Sequence, residues 1–119
     1  MMKTTWLACI AAAGLLPLAA LAHAKLLSTA PATGEQLAAA PKALTLRFNE
    51  AVQIGVLKVS ADGKDVPIEL DRGAAASPTV TVALPVLAPA TYRVQWSALT
   101  VDDGHVVKGT FSFVVTGGH

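Results

Sequence analysis

Thr91-Tyr92-Arg93-Val94-Gln95-Trp96-Ser97 is the stretch that decides the fold class. Tyr92, Val94 and Trp96 alternate with Arg93, Gln95 and Ser97, the period-2 pattern of a strand with one face buried. The same alternation recurs in Leu44-Thr45-Leu46-Arg47-Phe48-Asn49, in Val66 to Asp71, in Thr79 to Leu84 and in Thr110 to Val115. Turn signals separate these runs: Pro31 to Gly34, Pro41, Asp62-Gly63, Gly73 to Pro78, Pro85 to Pro89 and Asp103-Gly104. Asp62-Gly63 predicts a tight hairpin joining a strand over Val56–Ser60 to one over Asp65–Leu70. Gly55, inside a strand pattern, predicts a bulge. Glu35–Ala40 is the one helix candidate after the first segment. About seven short strands in fewer than 100 residues predict an all-β, antiparallel two-sheet sandwich. Tyr92, Trp96, Phe48, Phe111 and Phe113 are its expected aromatic core.

The first 22 residues differ from the rest. Lys3 precedes an apolar run from Trp6 to Leu16, Pro17 follows, and Ala20-Leu21-Ala22 has the small-x-small form of a signal-peptidase site. We read residues 1–22 as a cleaved export signal and 23–119 as the mature domain, with the cut before His23. A second small-x-small triplet, Ala22-His23-Ala24, would instead free Lys25. Of the 119 residues, 53% are apolar. The 97 that remain after the signal carry eight basic and eight acidic residues, which excludes a basic nucleic-acid footprint. Cys9, Met1 and Met2 all precede residue 23. The mature domain therefore has no disulfide, zinc-thiolate, iron–sulfur cluster or cysteine nucleophile.

Reactive groups are correspondingly few. No phosphate-binding glycine loop and no serine-nucleophile elbow is present. The informative pair is Asp103-Gly104-His105, between the Trp96 run and the Phe111 run. Residues two apart in an extended loop project to one side, so a carboxylate oxygen and an imidazole nitrogen can converge. Taken alone, the pair reads first as a solvated Asp-Gly turn beside a histidine. His23 alters that reading. As a first residue it offers its amine and its ring Nδ1 to one ion in a six-membered chelate. With His105 and Asp103 the donors become three nitrogens and one oxygen, a set that suits Cu(II) in tetragonal geometry. Zn(II) accepts the same donors but prefers a tetrahedron. The amine, with an ordinary pKa of about 7.7–8.0, must lose its proton to coordinate, so affinity should rise with pH. The third mature residue is Lys25 rather than histidine, which excludes the simple amino-terminal three-residue copper chelate. A strong site has to use the fold.

These residues carry a family resemblance. His23-Ala24-Lys25-Leu26, Ser28-Thr29-Ala30-Pro31-Ala32-Thr33-Gly34, Leu46-Arg47-Phe48-Asn49-Glu50, and the closing run from Tyr92 through Asp102-Asp103-Gly104-His105 to Val115 resemble the CopC family of periplasmic copper-binding proteins. The resemblance implies a Greek-key β-sandwich or barrel of about seven strands, immunoglobulin-like or cupredoxin-like. It implies His23, Asp103 and His105 as ligands of one Cu(II) per chain, with Glu50 as a carboxylate beside the site. It also implies a monomeric periplasmic carrier or buffer, not an enzyme, serving copper resistance or import. Its partner would be an inner-membrane copper transporter of the CopD type, here a separate chain. Some CopC-like proteins carry a Met-rich loop for Cu(I). The corresponding region, roughly Asp62 to Ser77, has no sulfur, and soft thioethers are what select Cu(I).

Two other functions are compatible with parts of this pattern. An amino-terminal histidine with a second histidine also forms the copper centre of polysaccharide monooxygenases, although Asp103 would occupy part of the coordination plane here. A metal-free adhesive sandwich is the other; the exposed alternate residues form no aromatic binding face.

Overall fold

The computed structural model describes residues 24–117. Seven strands follow in order: β1 (Leu26–Ala30), β2 (Gln36–Leu37), β3 (Ala43–Ala61), β4 (Lys64–Val66), β5 (Ser77–Ala83), β6 (Ala90–Thr100) and β7 (Val106–Val115). No helix occurs among the described residues. All pairings are antiparallel except the two-residue bridge of β2 to β7.

One long strand organises the molecule. The first half of β3 runs between β1 and β5, with Thr45 opposite both Ala30 and Thr81. Its second half runs between β4 and β6, with Ser60 opposite Asp65 and Arg93. Between Arg47 and Val52 the register with β5 shifts, and the strand passes from one sheet to the other. Corners of this kind let two sheets enclose one core with a shared strand. The predicted strands over Leu44–Asn49 and Val56–Ser60 are thus one element. The expected bulge at Gly55 is present, as a register break between Ile54 and Val56.

The inward positions of the alternating runs meet in a single core. Leu44, Leu46, Val52, Val59, Val94, Phe113 and Val115 are almost wholly withdrawn from water. Tyr92 stacks on Phe113 with centroids 5.4 Å apart, and Phe48 meets Trp96 edge-on at 5.3 Å. The Tyr92 hydroxyl donates to the Ala88 carbonyl at 2.6 Å, so the ring is buried without stranding its polar end. Gly109 pairs with Trp96 across the strands. A Cβ at Gly109 would stand 2.9 Å from the indole, which needs the space a side chain would take.

The Asp62-Gly63 hairpin forms as expected, with φ of 53° and 76°, the two left-handed residues of a type I′ turn. Its second strand stops at Val66 rather than Leu70. Pro67 has no N–H to continue the ladder, although Ile68 and Leu70 still pack on the core. Glu35–Ala40 is not helical. Gln36 and Leu37 pair with Val114 and Val115, and the Glu35 and Leu37 carbonyls accept from Val114 and Thr116 at 2.8 Å. Six residues ahead of a proline are too few to sustain a helix against such pairing.

Candidate metal centre

Strand pairing decides which chain segments meet at one end of the sandwich. Leu26 lies opposite Phe48 in an antiparallel pair, so the chain before Leu26 follows β3 toward Glu50. Two residues beyond Glu50, Val52 lies opposite Thr100, the last residue of β6. Ala24, the bend of β3 and the connection from β6 to β7 therefore share one end. Ala24 is buried in the core.

The five-residue connection, Val101–His105, is tightly tied. The Thr100 N–H donates to the His105 carbonyl at 2.8 Å, and the Gly104 N–H donates to the Thr100 carbonyl at 3.1 Å. Gly104 has φ of 70°, a left-handed conformation that costs a residue with a Cβ roughly 1–2 kcal/mol. This turn aims Asp103 and His105 at each other. Asp103 Oδ2 stands 2.8 Å from His105 Nδ1, while Asp103 Oδ1 accepts from the His105 backbone N–H at 3.2 Å. The two side chains remain accessible, 31% exposed for Asp103 and 55% for His105.

Thr100 holds this arrangement from below. It is fully buried, and its hydroxyl donates to Asp103 Oδ1 while accepting from the His105 N–H at 3.0 Å. The Thr100 hydroxyl, followed by the His105 side chain and backbone N–H, holds the Asp103 carboxyl well below the usual carboxylate range. These are all interactions with the charged form, so Asp103 is an anion at any pH near neutrality. Thr100 is absent from the sequence-derived candidates. Its signal is a hydroxyl at an inward position in the series Tyr92, Val94, Trp96, Ala98, with an aspartate three residues on.

The other candidates stand differently. His23 and the signal segment lie outside the described residues. Glu50 is half-buried at the bend of β3, and no hydrogen bond or ion pair joins it to Asp103 or His105 among the described residues. No group of three or more His, Cys, Asp or Glu side chains gathers there either. Asp103 and His105 thus supply one carboxylate and one imidazole at this end of the sandwich. A groove of about 200 Å³ lined by Val52, Ile54, Leu70, Arg72 and Val80 lies elsewhere and includes neither residue. A single ion requires convergent donor atoms rather than a groove.

On the amino-terminal side, one residue fixes the strand that leads to this end. The Asn49 backbone N–H donates to the Lys25 carbonyl at 3.0 Å, and Asn49 Oδ1 accepts from the Lys25 N–H at 2.7 Å.

Comparison with known proteins bears on the fold and the family. The CopC domain profile matches residues 26–116. Protein YobA of Escherichia coli K12 is 36% identical over 100 residues, 79% of each chain. Among solved structures, CopC from Methylosinus trichosporium OB3b superposes with a TM-score of 0.67 at 30% identity, covering 82% of this chain and 97% of its own. PcoC, a methionine-rich copper resistance protein from Escherichia coli, superposes with a TM-score of 0.66 at 28% identity, covering 80% and 100%. Unlike a methionine-rich protein, this chain has no methionine after Met2. With the domain match, the two superpositions and the shared sandwich taken together, the chain belongs to the CopC family.

Proposed function

We propose that the chain is the precursor of a periplasmic Cu(II) carrier, released by cleavage after Ala22 and binding one Cu(II) through His23, Asp103 and His105. The observation that carries this reading is the paired Asp103 carboxylate and His105 ring at the end of the sandwich where Ala24 enters, in a chain of a copper resistance family. In the full chain the nitrogen of His23 is a peptide amide; cleavage turns it into an amine donor. The ring Nδ1 of the same residue closes the chelate. Asp103 Oδ2 and His105 Nδ1 are hydrogen-bonded at 2.8 Å, and an ion bound between them would take the place of that proton; a nitrogen and oxygen donor set suits the square plane preferred by Cu(II).

The donors are nitrogen and oxygen throughout, and no thioether is available to hold Cu(I). On this reading the protein carries copper as Cu(II) and performs no reaction on it. A CopD-type inner-membrane transporter is the partner that fits a small carrier, and the monomer is its working form.

The test is the intact mass of the exported protein, followed by Cu(II) titration against a competing chelator. A mature start at His23 and one tightly bound Cu(II), lost in His23→Ala, are expected. A start at Lys25, or unchanged affinity in His23→Ala, would refute the site.

A further inference from the structure

We infer that Asn49 is a positioning residue for the amino-terminal copper donors, an inference that rests on the copper reading above. β1 needs help at this point because its pairing partner is leaving. Past Phe48, β3 turns toward the second sheet, and between Arg47 and Val52 the ladder with β5 is broken. In a regular antiparallel pair, main-chain groups satisfy the strand residue opposite. Here one residue does so with mixed atoms: the Asn49 N–H takes the Lys25 carbonyl, and the Asn49 side-chain oxygen takes the Lys25 N–H at 2.7 Å. The side chain extends the pairing of β1 past the place where the backbone of β3 can do it.

The consequence reaches the end of the chain. Lys25 is gripped at both of its backbone polar groups, and Ala24 is anchored in the core. A first residue attached to two fixed residues has few directions open to it. In a mature protein starting at His23, the donors of that residue would then lose less entropy on binding the ion. Asn49 touches no donor atom in this scheme and acts only through Lys25.

The mature protein starting at His23 provides the test. Asn49→Ala removes the side-chain acceptor but keeps the backbone N–H, and Asn49→Asp keeps an acceptor oxygen. Asn49→Ala should bind Cu(II) about tenfold more weakly, as loss of an outer partner of a metal site commonly does. Its copper electron-paramagnetic-resonance spectrum should broaden or split into more than one species. The Lys25 amide should exchange faster with solvent. Asn49→Asp should restore one species and most of the affinity. A residue that only supported the strand would lower the melting temperature of the metal-free protein and leave the spectrum of the copper form unchanged. That result, or an affinity of Asn49→Ala equal to that of the unmodified protein while His23→Ala loses binding, overturns the inference alone. Unchanged affinity in His23→Ala overturns the copper reading and this inference with it.

Discussion

Asp103 and His105 face one another across Gly104, with carboxylate Oδ2 and ring Nδ1 2.8 Å apart, and the carboxylate's other oxygen is held by Thr100. In the proposed site the histidine supplies a ring nitrogen that nothing else in the loop replaces, whereas the carboxylate supplies one oxygen of four donors. His105→Ala should therefore weaken Cu(II) binding on the order of 100-fold and Asp103→Ala on the order of tenfold. Competition titrations at constant pH measure both. Equal losses would mean that Asp103 contributes as much as the ring.

Thr100→Val keeps the shape of a fully buried residue and deletes the hydroxyl that bridges Asp103 and His105. Leaving those partners unsatisfied should cost about 1–3 kcal/mol in urea denaturation of the metal-free protein. Cu(II) affinity should fall by about tenfold as the pair loses its support. Thr100→Ser, which retains the hydroxyl, should recover most of both.

The depressed Asp103 carboxyl sets an acid dependence with a definite sign. Its folded value lies below the usual 3.8 because Thr100 and His105 favour the anion. The unfolded chain therefore binds the proton first as pH falls. The stability contributed by Asp103 is complete above about pH 4 and declines below it, toward the lowered folded value. Denaturation of metal-free protein between pH 2 and 6 should show this loss, and Asp103→Asn should flatten it. A variant with an identical acid limb would show that other carboxylates govern it.

Gly109→Ala tests the packing of Trp96. The added Cβ would sit 2.9 Å from the indole, so Trp96 must move against Phe48. Overpacking of this kind should cost about 1–3 kcal/mol and change the near-ultraviolet circular dichroism of Trp96. Copper affinity should change little, because Gly109 lies outside the turn that holds Asp103 and His105.

The elements that alternation describes well are those with one buried face along their whole length. Tyr92, Val94, Trp96 and Ala98 in β6, and Phe111, Phe113 and Val115 in β7, are of this kind. Alternation breaks at Glu50 and Ala51, both half-buried, and so divides β3 into two strands where the chain makes one. It also cannot see β2, whose two residues are fixed by β7, almost eighty positions away. At the candidate site, the Asp103–His105 pair is legible because its partners are two residues apart. Thr100 resembles any strand threonine until its burial is known. The grip of Asn49 on Lys25 spans 24 positions and follows only from the departure of β3 from β1. His23 lies outside the described residues, and its part in the site rests on its place after the predicted cleavage point.

Because β3 belongs to both sheets, neither sheet is a separable folding unit. Its first half needs β1 and β5, and its second half needs β4 and β6, partners up to about fifty residues away along the chain. Contacts of such sequence separation form slowly, and they form together. The end of the sandwich holding Asp103 and His105 is also where the β3–β6 ladder ends, with Val52 opposite Thr100. Ion capture at that end would then report on completed folding, and a partly unfolded chain would release its cargo rather than retain it.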